Sequence, residues 1–150
     1  MPYDHLSLPA RSRPGKVSYV QRLQPGEKLV VADLEGPGCI TCMNIVLHRV
    51  QNYGRTLTLK IYWDGEETPS VDAPIGDFFG VGHGELYYPI DNAFFSVKHQ
   101  TGYSCYFRMP FAKSARIEVE NGDEPGGCFF FIDWSRFDEP LAEEQRFHAK

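Results

Sequence analysis

Arg55-Thr56-Leu57-Thr58-Leu59-Lys60-Ile61-Tyr62-Trp63 is the stretch that decides the fold class. Leu57, Leu59, Ile61 and Trp63 alternate with Thr56, Thr58, Lys60 and Tyr62. A period of two with one apolar face marks a half-buried β-strand. Similar segments lie on both sides. Lys28–Leu34 follows a Pro25-Gly26 turn, and Glu35-Gly36-Pro37-Gly38 leads into the β-branched stretch Cys39–Val50. Downstream, Glu85–Ile90, Ala93–His99, Tyr103–Met109, Ala115–Glu120 and Gly127–Trp134 read as strands, with a turn cluster at residues 121–126. The run Phe129-Phe130-Phe131 has no polar face, which predicts a central strand packed on both sides. Only Glu139–Lys150 is expected to form a short helix.

Eight or nine short strands, without βαβ alternation or a long internal repeat, predict an all-β domain. The expected architecture is a single jelly-roll β-sandwich of about eight antiparallel strands. An immunoglobulin-like sandwich fits less well, because the strand count and the long segment 64–84 do not suit it. Composition agrees. The chain has 150 residues, with Phe 11, Tyr 8 and Trp 2 beside Gly 14 and Pro 11, a mixture typical of strands joined by turns. Residues 1–15, with Pro2, Pro9 and Pro14, are expected to form an arm, residues 16–138 the jelly roll and residues 139–150 a tail.

A net charge of −5 argues against a nucleic-acid partner, which calls for a basic excess. A hydrophobic fraction of 42% argues against disorder. No segment approaches the ~20 apolar residues of a membrane span, and Met1–Pro14 has no signal-type apolar core. A cytoplasmic protein with no membrane partner is expected. Cys39, Cys42, Cys105 and Cys128 then read as small buried hydrophobes. Cys39 and Cys42 form a single C-x-x-C, but on a strand residues three apart point to opposite faces, so they do not converge on a metal. No metal site and no cofactor is expected.

The dense cluster of reactive groups is Trp63, Asp64, Glu66, Glu67, Asp72 and Asp77, followed by His83 between two glycines. An aromatic face can stack on a sugar ring. Carboxylates can accept hydrogen bonds from hydroxyls, or act as acid, base or nucleophile across a glycosidic bond. A solvated acidic turn is the plainer reading of the same residues. Trp63, Asp64, Glu66 and His83 are the candidate substrate contacts. Glu66, Glu67 and Asp77 are the candidate catalytic carboxylates.

The phrases Trp63-Asp64-Gly65-Glu66-Glu67-Thr68-Pro69-Ser70 and Gly76-Asp77-Phe78-Phe79-Gly80-Val81-Gly82-His83-Gly84 form a long and unusual pair. With Ala32–Gly38, Tyr106–Phe111, Ala115-Arg116-Ile117 and Phe147-His148-Ala149, they resemble the N-terminal half of glycoside hydrolase family 172. The resemblance implies a jelly roll, homo-oligomers of trimeric or hexameric, capsid-like form, and sites for furanosides near subunit contacts. It also implies that the catalytic glutamates belong to a second jelly roll. In that roll's related phrase a glutamate precedes Asp-Tyr-Phe-Gly; set on this chain, its place falls on Gly76.

Three functions follow as expectations. The first is a self-assembling single jelly roll with a carbohydrate-contacting loop at its subunit contact. The second is an active furanosidase of fructofuranosidase or arabinofuranosidase type, its site shared between subunits. The third is a purely structural oligomer in which Phe78, Phe79, Tyr87 and Tyr88 anchor the contact.

Overall fold

The computed structural model describes residues 12–47, 53–82, 89–98, 102–139 and 145–150. In chain order its strands are β1 (Ser12–Leu23), β2 (Lys28–Glu35), β3 (Gly38–Leu47), β4 (Thr58–Trp63) and β5 (Val71–Pro74), then β6 (Ile90–Asp91), β7 (Phe95–Lys98), β8 (Gly102–Cys105), β9 (Met109–Phe111), β10 (Ser114–Glu120) and β11 (Gly126–Phe137). Two four-residue helices, α1 (Tyr53–Thr56) and α2 (Ile75–Phe78), flank β4 and β5.

The strands form two antiparallel sheets. One runs β1-β11-β3-β8-β7-β6, with β9 also pairing β3, and the other runs β2-β10-β4-β5. β8 and β9 both pair β3 and are interrupted at residues 106–108, so they act as one broken strand. Without the β6–β7 hairpin, eight principal strands remain. In chain order they lie first-eighth-third-sixth over second-seventh-fourth-fifth. That is the jelly-roll arrangement, and the strands beyond eight are the edge hairpin and the broken segment.

Alternation places the core between the sheets. In β4, Leu59, Ile61 and Trp63 are fully buried, as are Ala115, Ile117 and Val119 of β10 and Cys128, Phe130 and Ile132 of β11. The other face of the four-stranded sheet is charged. Lys60 Nζ lies 2.7 Å from Glu120 Oε2, Lys28 Nζ lies 3.4 Å from the same oxygen, and Arg116 pairs with Glu118 at 2.6 Å. The hydrogen bond to Glu120 holds the Lys60 ammonium above its ordinary value, and Lys60 in turn holds the Glu120 carboxyl below its own.

Several elements depart from the sequence expectations. β1 begins at Ser12, inside the stretch read as an arm. Pro14 hides it from a propensity reading, but β1 lies at the sheet edge, where a missing N–H is tolerated. The segment 64–84 is not continuous loop, because β5 and α2 lie within it. In the expected terminal helix, residues 145–148 and 150 have no regular structure and Ala149 bridges Val71; residues 140–144 lie outside the described residues. Most of the expected strand Glu85–Ile90 also lies outside them.

The inward assignment of β10 has a direct test. Ile117→Ala should lower the unfolding free energy in urea by ~2–5 kcal/mol, while Arg116→Ala on the opposite face should stay within ~1 kcal/mol.

Candidate functional site

The acidic segment starts with a tight turn at the end of β4. Asp64 has φ 56° and Gly65 φ 88°, and the Glu66 N–H donates to the Trp63 carbonyl at 2.9 Å. Positive φ at both central residues is the primed turn geometry that Asp-Gly favours. The conformation turns the Asp64 carboxylate back onto the protein. Its Oδ1 accepts the backbone N–H groups of Ala112 at 2.8 Å, Lys113 at 2.6 Å and Ser114 at 3.3 Å. Its Oδ2 accepts Arg146 Nε at 2.6 Å. Partial burial disfavours the ionised carboxylate, but the Lys113 amide, the Arg146 guanidinium and the Ser114 amide outweigh it and hold the carboxyl below the ordinary aspartate value.

Trp63 completes this latch from the core side. Its side chain is fully buried, stacks against Phe111 with centroids 6.4 Å apart, and donates Nε1–H to the Phe147 carbonyl at 2.8 Å. The chain end then runs beside β5. The Ala149 N–H donates to the Ser70 carbonyl at 3.1 Å, and the Asp72 N–H donates to the Ala149 carbonyl at 2.9 Å. The Phe147 ring packs edge-on against Phe78, with centroids 6.0 Å apart. No face of the Trp63 ring is open to a sugar, which corrects the expectation that it stacks on substrate.

The remaining candidates separate. Glu66 and Glu67 are exposed on the turn, and Glu66 Oε2 accepts the Ser70 hydroxyl at 2.6 Å. Asp77, on α2, forms an ion pair with Arg55, whose Nη1 also donates to the Gly82 carbonyl at 3.2 Å. Thr58 pairs with Pro74, and the Ile75 N–H donates to the Leu57 carbonyl, so α2 lies beyond the first residue of β4. Asp64 and Glu66 lie beyond its last. The length of the strand sets these ends roughly 17 Å apart. Two carboxylates acting on one glycosidic bond stand ~5–9.5 Å apart, so Asp77 does not pair with Asp64 or Glu66 within one chain. His83 and the proposed anchors Tyr87 and Tyr88 lie outside the described residues. The other two anchors, Phe78 and Phe79, belong to this chain's own core at 6% and 0% exposure, which corrects their assignment to a subunit contact.

Gly76 has a packing reason to be glycine. A Cβ there would lie 3.0 Å from the Gly54 carbonyl oxygen and 3.1 Å from that of Val81, both backbone atoms. A glutamate at this place would need the two neighbouring segments to move apart. Arg146, Ser70 and Arg55, the partners of Asp64, Glu66 and Asp77, were not singled out in the sequence, although Arg146 directly precedes the Phe147-His148-Ala149 phrase.

Among known proteins, a family model described as GH172 domain-like matches residues 16–127, from β1 into the first residues of β11. A comparison with curated proteins finds no match.

The depressed Asp64 carboxyl links the latch to pH. A folded-state value below the unfolded one adds stability above the unfolded aspartate value of ~3.9, and that stability is lost as pH falls through the folded value. Asp64→Asn should therefore lower the urea unfolding free energy at neutral pH by ~1–3 kcal/mol. Below pH ~4 the difference from the parent protein should shrink towards zero.

Proposed function

The chain belongs to the GH172 domain-like family, and on that premise we propose that it is a self-assembling jelly-roll unit that contacts carbohydrate through its acidic turn. Glu66 and Glu67 are the contact residues in this reading. The observation that carries it is the division of labour among the carboxylates. Asp64 is used up in the latch and Asp77 is paired with Arg55, while Glu66 and Glu67 remain exposed on a turn made rigid by Asp64. A rigid turn that presents exposed acceptors suits hydrogen bonding to sugar hydroxyls, because little ordering is needed on binding. Furanosides are the substrate class to try first, on the strength of the family resemblance.

Hydrolysis by one chain alone is not part of this reading. The Asp64 and Asp77 ends of the segment stand too far apart to serve one bond, and the place of the second roll's glutamate is taken by Gly76. A cleaving site built on Asp77 would take its second carboxylate from another subunit. The purely structural oligomer is a second reading, favoured by the burial of Trp63, which removes the expected sugar platform.

The test is a panel of fructofuranosides and arabinofuranosides, followed by saturation-transfer NMR and by product release. Binding without hydrolysis is expected. Glu66→Gln combined with Glu67→Gln should weaken binding by at least about tenfold, the effect of losing one charged hydrogen bond, while the melting temperature stays unchanged. Hydrolysis abolished by Glu66→Gln or Asp77→Asn would overturn this reading in favour of a shared active site. Absence of any binding would favour the structural oligomer.

A further inference from the structure

The Phe129-Phe130-Phe131 run calls for cover on both faces of β11, and the described residues cover only one. Phe130 is fully buried between the sheets, whereas Phe129, on the opposite face, is 39% exposed. Register places the neighbours of Phe129 and Phe131 on this outer face. Val46 of β3 stands opposite Phe129 and is 37% exposed; Asn44 stands opposite Phe131. Ser18 of β1 lies beside Phe131 on the other side. Ser104 Oγ donates to Asn44 Oδ1 at 2.7 Å and Asn44 Nδ2 donates to Cys42 Sγ at 3.2 Å, so these three side chains share the face.

Among the described residues the middle of this surface is uncharged. Its charged groups sit at the two ends: Lys16 and Asp133, 3.6 Å apart, at one, and the exposed Arg22, opposite Gly127, at the other. The outer face of the four-stranded sheet shows the opposite pattern, with Lys28, Lys60, Arg116, Glu118 and Glu120 in ion pairs. One sandwich thus has one face suited to water and one suited to another protein surface.

We infer that the outer face of β1-β11-β3-β8 is where a second copy of this chain docks, sheet against sheet. This rests on the self-assembly part of the proposed function and names the surface that performs it. The area is adequate. Four strands about 4.8 Å apart and up to roughly 30 Å long give a flat footprint on the order of 500 Å². Side-chain relief brings the accessible area of such a face towards the ~800 Å² per partner of a standard interface. A second copy fits because its matching face is also neutral at the centre. Apposing two such faces brings no like charges together there, although each chain carries a net charge of −5. Stacked sheets ~10 Å apart interdigitate their facing side chains, and Phe129 and Val46 would fill that layer.

The experiment is native mass by light scattering over a dilution series, for the parent chain, Phe129→Asp and Ser18→Arg, with circular dichroism as the fold control. The parent chain should be a dimer or a multiple of one, and both variants should be folded monomers. Ser18→Arg alters an exposed polar position and decides the case if Phe129→Asp fails to fold. Cys42 supplies a second readout, because Cys39, Cys105 and Cys128 are buried. Its labelling by a thiol reagent should be slow in the assembled parent and faster on dilution or in the variants. A monomeric parent chain would overturn both this inference and the assembly in the proposed function. An oligomer that survives a folded Ser18→Arg or Phe129→Asp would overturn this surface alone and leave assembly by another face standing.

Discussion

The carboxylate of Asp64 binds three distant parts of the chain at one point. It follows the last residue of β4, accepts three backbone N–H groups from residues 112–114, and accepts Arg146 from the chain end. Each of these donors is a group that folding must satisfy or leave to water. One ionised acceptor serves all four, and charge-assisted hydrogen bonds are the stronger kind. Because β9 and β10 are joined by residues 112–113, the same carboxylate fixes the passage of the chain from one sheet to the other. Trp63 reinforces the arrangement from the core by holding the Phe147 carbonyl.

This constraint divides an acidic segment that is continuous in sequence into groups with different work. Asp64 points into the protein, Glu66 and Glu67 point out, and Asp77 is carried to the other end of β4 by the antiparallel return of β5. The chemistry of a glycosidase needs two carboxylates across one bond, and this geometry does not provide it between Asp77 and the turn of a single chain. What remains is a rigid turn with two exposed acceptors. These two exposed carboxylates are the feature on which the proposed carbohydrate contact rests.

The sheet pattern was legible where local chemistry decides it. β4 and β10 show strict alternation, β2 follows a Pro25-Gly26 turn, and Asp64-Gly65 carries the turn its residue types favour. The elements that were hidden depend on context. Pro14 in β1 is acceptable only because that strand is an edge, and the four residues of β5 become a strand only by pairing β4. The chain end is extended because Ala149 bonds Ser70 and Asp72, which no periodicity reports. The site followed the same rule. Its residues could be picked out, but the partners that set the role of Asp64 lie 48 to 82 residues away along the chain, and Arg55, the partner of Asp77, lies 22 away. Trp63 illustrates the consequence, since its place beside the carboxylates suggested an open aromatic platform and its place at the end of a core-facing alternation buried it.

Asp64 is a structural anchor, ionised and held by four donors, and not a reactive acid. Titration of its side-chain carboxyl by carbon-detected NMR tests this most directly. Protonation is expected below the ordinary aspartate value of ~3.9, accompanied by shifts of the Lys113 amide and the Arg146 Nε proton as the latch opens. Protonation at or above that value, with those two partner resonances unmoved, would contradict it.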